Sequence, residues 1–221
     1  MKVFKYDSIN IDNISLSKLD RNKNLIYVKY NTDNKYMPLL IETDYMLMNF
    51  DASYENTDSV SYEILLSLIG KSDVSTHNLR NFFSNLDSKI MNIIKTNMYN
   101  WFKINENEKV RYKMLIRDID ENENVLKIKL RKSKNFKSIA FNEKLQEIEK
   151  NKMDDYLIKG NYVKVIFELP YIKFKNETFS LYLKVHQIKV SNISEKYSSD
   201  TDIDTDIDTL SDIHSELNSS D

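Results

Sequence analysis

Val125-Leu126-Lys127-Ile128-Lys129-Leu130-Arg131 alternates apolar and cationic side chains. Successive side chains of an extended strand point to opposite faces, so Lys127, Lys129 and Arg131 share one face while Ile128 and Leu130 share the other. One face suits a core and the other suits water or a polyanion. Residues 112–117 read as the partner strand, joined to it by the polar segment Asp118-Ile119-Asp120-Glu121-Asn122-Glu123-Asn124. Asp118, Asp120 and Asn122 match the first ligand positions of a calcium loop. Glu123, however, stands where that loop needs Gly, and Lys129 stands where it needs its closing Glu, so a hairpin connection is the better reading.

Residues 25–30 form a β-branched and aromatic strand, Asn31-Thr32-Asp33-Asn34 has turn chemistry, and residues 36–41 return as a second strand. Residues 51–60 are polar and loop-like, and residues 62–69 are an apolar run ended by Gly70. Leu79, Phe82, Phe83, Leu86, Ile90, Ile93, Ile94, Met98 and Phe102 then recur at three- and four-residue steps, the stripe of a long amphipathic helix. Ser75 or Thr76 is the expected N-cap. A helix is expected over residues 143–157. Strands are expected over 162–169, 171–174 and 179–190, with Lys175-Asn176-Glu177-Thr178 as a turn. The fold class is therefore α+β, mainly β: an antiparallel sheet or small barrel with one long helix inserted between strands.

Charge divides the chain. All 32 Lys and Arg lie in residues 1–196 with 26 acids, whereas residues 197–221 hold eight acids and no Lys or Arg. The expected organisation is one domain over 1–193 and a disordered acidic tail over 194–221, where too little apolar content exists to join a core. A basic body with its own acidic, Ser/Thr-rich end suggests a nucleic-acid binder carrying a competitor for its groove. A solubilising tail is the plainer alternative.

Much chemistry is missing. The absence of cysteine excludes disulfides, cysteine-ligated zinc and thiol nucleophiles, and fits an intracellular compartment. His77, His186 and His214 are far apart and lack neighbours at metal-ligand spacing. Two glycines cannot build a phosphate-cradling loop, and no serine lies in a nucleophile-elbow pattern. No enzyme, cofactor or metal is expected. Residues 1–10 contain no apolar signal core and no run approaches 18 apolar residues, so neither a secretory signal nor a membrane span is expected.

What remains is a basic and aromatic constellation. Lys127, Lys129, Arg131, Lys132, Lys134 and Lys137 occur without an intervening acid, and Arg111, Lys113 and Arg117 surround Tyr112 on the preceding strand. Paired as a hairpin, the two strands would offer a cationic surface roughly 15–20 Å long. Single-stranded nucleic acid is held by such a groove together with aromatic rings on which bases stack. Tyr112, Trp101, Phe102 and Phe136 lie near the basic strands, with Tyr27, Tyr30 and Tyr36 on the first hairpin. The competing reading is that the lysines are merely solvated and that Trp101 and Phe102 close a core stripe.

The order of segments resembles the single-stranded-DNA-binding proteins of nucleocytoplasmic large DNA viruses. Tyr36-Met37-Pro38-Leu39-Leu40-Ile41-Glu42-Thr43 is similar to the strand ending that family's first hairpin. The segment from Phe83 to Trp101-Phe102 is similar to its long helix, and Val125-Leu126-Lys127-Ile128-Lys129-Leu130 to its basic strand. Lys159-Gly160, residues 163–170, Tyr171-Ile172-Lys173-Phe174 and residues 183–190 are similar to its closing strands. Tyr171 and Tyr182 stand where tryptophan-like positions are expected. The resemblance covers about residues 5–192 and implies an oligonucleotide/oligosaccharide-binding (OB-like) core. It also implies a role in viral genome replication, recombination or repair, in the host cytoplasm or nucleus or packaged in the virion. The implied partners are single-stranded DNA, with RNA as the alternative, and replication proteins recruited through the tail; a homo-oligomer is compatible. The rival reading is a structural or protein-interaction module whose basic strand docks an acidic partner.

Overall fold

The structure, a computed structural model, describes residues 2–32, 35–56, 60–68, 74–102, 111–120, 123–133 and 136–192. The tail expected over 194–221 lies outside the described residues. The alternating stretch is the heart of strand Glu123–Ser133, which pairs antiparallel with strand Val60–Ser67. Leu126, Ile128 and Leu130 register with Leu66, Ile64 and Tyr62, and all six are buried. Lys127, Lys129 and Arg131 lie on the opposite face, in register with Leu65, Glu63 and Ser61. Amphipathic alternation thus sets this strand's orientation, because a one-residue slip would bury three cations.

The expected partner strand is divided. Ile116–Asp120 forms the hairpin with Glu123–Ser133, with Arg117 opposite Val125 and Asp118 opposite Asn124. Arg111–Lys113 instead runs parallel to strand Thr178–Leu181 in a different sheet. The physical reason lies between them. Leu115 is buried, and its N–H donates to the Asp87 carboxylate at 2.9 Å, which pulls the chain inward and ends the first strand.

Among the described residues, three sheets surround one core. Sheet one contains, in order, Val3–Lys5, Leu40–Glu42, Tyr162–Glu168, Lys184–Ser191 and Ile139–Phe141, with Met46–Leu47 beside Tyr162–Glu168. Sheet two contains Ile14–Leu16, Leu25–Thr32, Tyr171–Lys175, Thr178–Leu181 and Arg111–Lys113, with Lys35–Met37 beside Leu25–Thr32. Sheet three contains Ile116–Asp120, Glu123–Ser133, Val60–Ser67 and Ser53–Asn56, with Phe136–Lys137 beside Glu123–Ser133. Most pairings are antiparallel, but Val3–Lys5, Ile139–Phe141 and Arg111–Lys113 each pair in parallel.

Both prolines of the chain mark a corner between sheets one and two. The strand expected over 36–41 breaks at Pro38, and Pro170 separates Tyr162–Glu168 from Tyr171–Lys175, as the strands expected over 162–169 and 171–174 imply. Proline has no N–H for a ladder and is excluded from continuous central strands. The corner is held by other bonds: Leu169 N–H donates to Leu39 O at 3.3 Å, and Val28 N–H donates to Pro170 O at 3.1 Å. A third crossing, through Tyr182 and Leu183, joins Thr178–Leu181 to Lys184–Ser191.

The helix spans Val74–Phe102 and buries Leu79, Phe82, Phe83, Leu86, Ile90, Ile94, Met98 and Trp101, with Phe83 stacked on Phe167 of sheet one at 6.0 Å. Ser75 and Thr76 lie inside this helix, so neither is its N-cap. The helix expected over 143–157 reduces to the short turns Lys150–Lys152 and Met153–Tyr156. Leu145 has φ 60°, and Asn142 and Gln146 close a hydrogen-bonded loop around it, which no helix accommodates. The 175–178 turn does form, with Asn176 and Glu177 both at positive φ as a tight hairpin requires.

Asp87, in the middle of the apolar helix stripe, is fully buried. Its carboxylate accepts the Tyr112 hydroxyl at 2.7 Å and the Leu115 N–H at 2.9 Å, tying the helix to both strands that follow it. Burial pushes the Asp87 carboxyl above its ordinary value, opposed by the Tyr112 hydroxyl and the backbone donors. Tyr112→Phe deletes one charge-assisted hydrogen bond and is expected to cost about 1.5–3 kcal/mol, a lower Tm that thermal melts would register. The folded state holds the Asp87 proton more tightly than the unfolded chain, so its contribution to stability is present below the unfolded value and lost as pH rises through the folded one. The Tm advantage of wild type over Asp87→Asn is therefore expected to grow as melts are taken at lower pH, toward the ordinary carboxylate value of about 3.9.

Candidate nucleic-acid interface

Sheet two presents its outer face through simple alternation. In Leu25–Thr32, Ile26, Val28 and Tyr30 are buried, which turns Tyr27 and Lys29 outward. In Tyr171–Lys175 the buried Ile172 leaves Tyr171 and Lys173 outward, and in Thr178–Leu181 the buried Phe179 and Leu181 leave Thr178 and Ser180 outward. Registry then aligns side chains into rows. Tyr27 pairs with Tyr171, and Tyr182 donates its N–H to Tyr171 O at 3.0 Å. Lys173 pairs with Ser180, which pairs with Lys113; Lys175 pairs with Thr178, which pairs with Arg111.

The result is a cationic face. None of the six strands of sheet two contains an Asp or Glu, whereas Lys29, Lys35, Lys173, Lys175, Arg111 and Lys113 all lie in them. Lys29, Lys173, Lys175, Arg111 and Lys113 are exposed and make no ion pair among the described residues. Phosphates approaching this sheet would meet no competing carboxylate on its strands.

Aromatic rings cross the same face. The Tyr171 and Tyr182 rings lie 4.9 Å apart and within 3° of parallel, and the Arg131 guanidinium sits 5.1 Å above the Tyr182 ring. Burial, and then the neighbouring Tyr182, push the Tyr171 phenol above its ordinary value, with Arg131 opposing, so it stays neutral. Nearby, the Lys29 ammonium lies 5.0 Å over the ring of Tyr36, which is 67% exposed. Such rings offer π-faces to bases of any identity.

Arg131 links this face to sheet three, and Ser138 positions it. Arg131 N–H donates to Ser138 Oγ at 3.1 Å, Ser138 N–H donates to Arg131 O at 2.8 Å, and Ser138 Oγ donates to Val185 O at 2.7 Å. That clasp draws the end of Glu123–Ser133 onto Lys184–Ser191. Phe136 consequently sits with the Lys184 ammonium 4.5 Å above its ring and the His186 ring edge-on at 5.3 Å. Glu168 tempers this group, meeting His186 Nε2 at 3.0 Å and Lys184 Nζ at 3.5 Å.

The residues singled out from sequence are thus divided. Arg111 and Lys113 do reach a basic surface, but through sheet two rather than through a hairpin with Lys127. Arg131 and Phe136 lie at its margin. Lys127 and Lys129 both pair with Glu63, Lys129 at 3.1 Å, and Lys137 pairs with Glu147. Arg117 belongs to sheet three and is half-buried. Lys132 continues the basic strand, paired through its backbone with Lys137, and Lys134 lies outside the described residues.

Two aromatic assignments are corrected. Trp101 is 8% exposed and packs in the core, its carbonyl accepting from Arg21 at 3.5 Å. Tyr112 spends its hydroxyl on Asp87 and turns inward, opposite Phe179, between the outward Arg111 and Lys113. Tyr30 is also buried. The sequence marks Tyr171 and Tyr182 only as aromatic residues of the closing segments; the acid-free run Tyr171-Ile172-Lys173-Phe174-Lys175 is the further signal for Tyr171, and Tyr182 has none.

No protein-family model matches the chain, and no curated protein matches it significantly. Among solved structures, the chain is similar to gp2.5, a single-stranded DNA binding protein encoded by bacteriophage T7, at TM-score 0.47 and 11% identity, covering 69% of this chain and 91% of that one. It is also similar to the single-stranded DNA-binding protein from bacteriophage Enc34 in complex with ssDNA, at TM-score 0.38 and 15% identity, covering 79% of this chain and 94% of that one.

If Tyr171 and Tyr182 carry bases, Tyr171→Ala and Tyr182→Ala are each expected to weaken single-strand binding by about 1–3 kcal/mol in an anisotropy titration. Trp101→Phe is expected to leave the affinity of the folded protein unchanged.

Proposed function

We propose that this chain is a non-enzymatic single-stranded-DNA-binding protein built on an OB-like curled sheet. It would coat and protect exposed strands without strong sequence preference. The observation that carries this reading is the outer face of sheet two: cations on strands without acids, crossed by the Tyr27, Tyr171 and Tyr182 row. Phosphates supply affinity through the cations, and ring stacking adds energy that does not depend on base identity. A duplex hides its base faces, so this surface favours single strands.

The proposed setting is replication, recombination or repair of a large viral genome, supported by the order of segments along the chain. Residues 194–221 are proposed to recruit replication proteins and to compete with DNA for the basic face. At a tethered local concentration in the millimolar range, eight acids would be effective competitors at low salt.

Titration of labelled single-stranded and duplex oligonucleotides tests this directly. Single strands are expected to bind more tightly, with log K falling as log salt rises at about −0.7 per neutralised phosphate. Arg111→Ala combined with Lys113→Ala is expected to reduce the slope by up to about 1.4. Deleting residues 197–221 is expected to tighten binding most at low salt. Equal affinity for duplex, or a slope unmoved by the double substitution, would contradict the reading.

A further inference from the structure

Lys127 and Lys129 project from the same face of Glu123–Ser133 as Arg131, which itself contacts Tyr182. Their strand therefore continues the surface of sheet two for about 13 Å beyond Arg131, at about 3.3 Å per residue. Unlike sheet two, sheet three carries acids on its strands, namely Glu55, Glu63, Asp118, Asp120 and Glu123, and Glu63 is the acid that matters for these lysines. It lies directly across from Lys129 on the neighbouring strand and pairs with both lysines. Its side chain is 16% exposed, against 23% for Lys127 and 30% for Lys129, so the carboxylate sits beneath two ammonium groups.

We propose that Lys127 and Lys129 form a latent extension of the single-strand path, and that Glu63 limits its use by occupying both lysines when no strand is bound. This inference rests on sheet two being the primary interface. A phosphate arriving over sheet three must share these lysines with a carboxylate that cannot leave, whereas a phosphate over sheet two meets cations that make no ion pair among the described residues. Sheet two accordingly anchors the strand, and sheet three engages only when the strand is long enough to reach it. Glu63 keeps that second engagement weak and reversible, which suits a protein that must release the strands it coats.

The test uses the full chain with Glu63→Gln, and with Glu63→Met as a second uncharged variant should the first fold poorly, each checked by thermal melting. Oligonucleotides of graded length are titrated across a range of salt. Removal of the carboxylate is expected to tighten binding to long single strands by roughly three- to tenfold at low salt, as expected for one partly screened charge. The salt slope should steepen by about 0.7–1.4. The shortest oligonucleotides that bind should show little change. In a Lys127→Ala, Lys129→Ala background the effect of Glu63→Gln should vanish.

Weaker or unchanged binding of long strands by a folded Glu63 variant would overturn the inference, assigning Glu63 to hold the lysines in position, while leaving the sheet-two reading intact if wild type still binds single strands. Equal tightening for every length, or tightening that survives loss of both lysines, would overturn it too. Failure of wild type and variant alike to bind single strands would remove the proposed function and this inference together.

Discussion

Two adjacent strands lose a ladder donor at the same corner, at Pro38 and Pro170, and the architecture depends on that loss. Neither strand can continue straight from sheet one into sheet two as one flat ladder. The chain bends instead, and Leu169 N–H and Val28 N–H supply the bonds that hold the bend. The bend gives sheet two its own direction and its own outer face. It also places Tyr171 immediately after Pro170, next to Tyr182 at the third crossing, where the two rings stack.

The sheets divide the charge between them. Sheet one carries Glu42 paired with Lys164 and Glu168 paired with Lys184, and sheet three carries Glu63 against Lys127 and Lys129. Only in sheet two are the strands free of acids. A near-neutral chain can therefore present one strongly positive surface, because its cations and anions are sorted by sheet rather than balanced residue by residue. Buried anchors hold the sorting in place. Asp87 fixes the approach of Arg111–Lys113 through Tyr112, so the edge strand that contributes two cations is held by a core hydrogen bond.

Much of this was legible before the structure. The alternation at 125–131, the long helix stripe and the closing strands are local patterns, and local periodicity reports them well. What escaped was partner choice. Residues 112–117 look like one strand, and nothing in their spacing shows that Leu115 is drawn to Asp87 or that Arg111 joins a strand far along the chain. The basic run at 127–137 looked like the interface because local density counts only neighbours in sequence. Glu63 lies more than sixty residues away and is brought against Lys129 only by strand pairing. Trp101 was ambiguous for a related reason, since a ring at a helix end serves a core or a surface equally well until the packing is seen.

The proposed path takes a single strand across the outer face of sheet two over Tyr27, Tyr171 and Tyr182. Photocross-linking with bromouracil-substituted single-stranded DNA, followed by mass spectrometric mapping of the linked peptides, addresses it most directly. The account predicts cross-links concentrated on the peptides containing Tyr171 and Tyr182, with Tyr27 next. Cross-links confined to the outer face of sheet one, with none on these tyrosines, would contradict it.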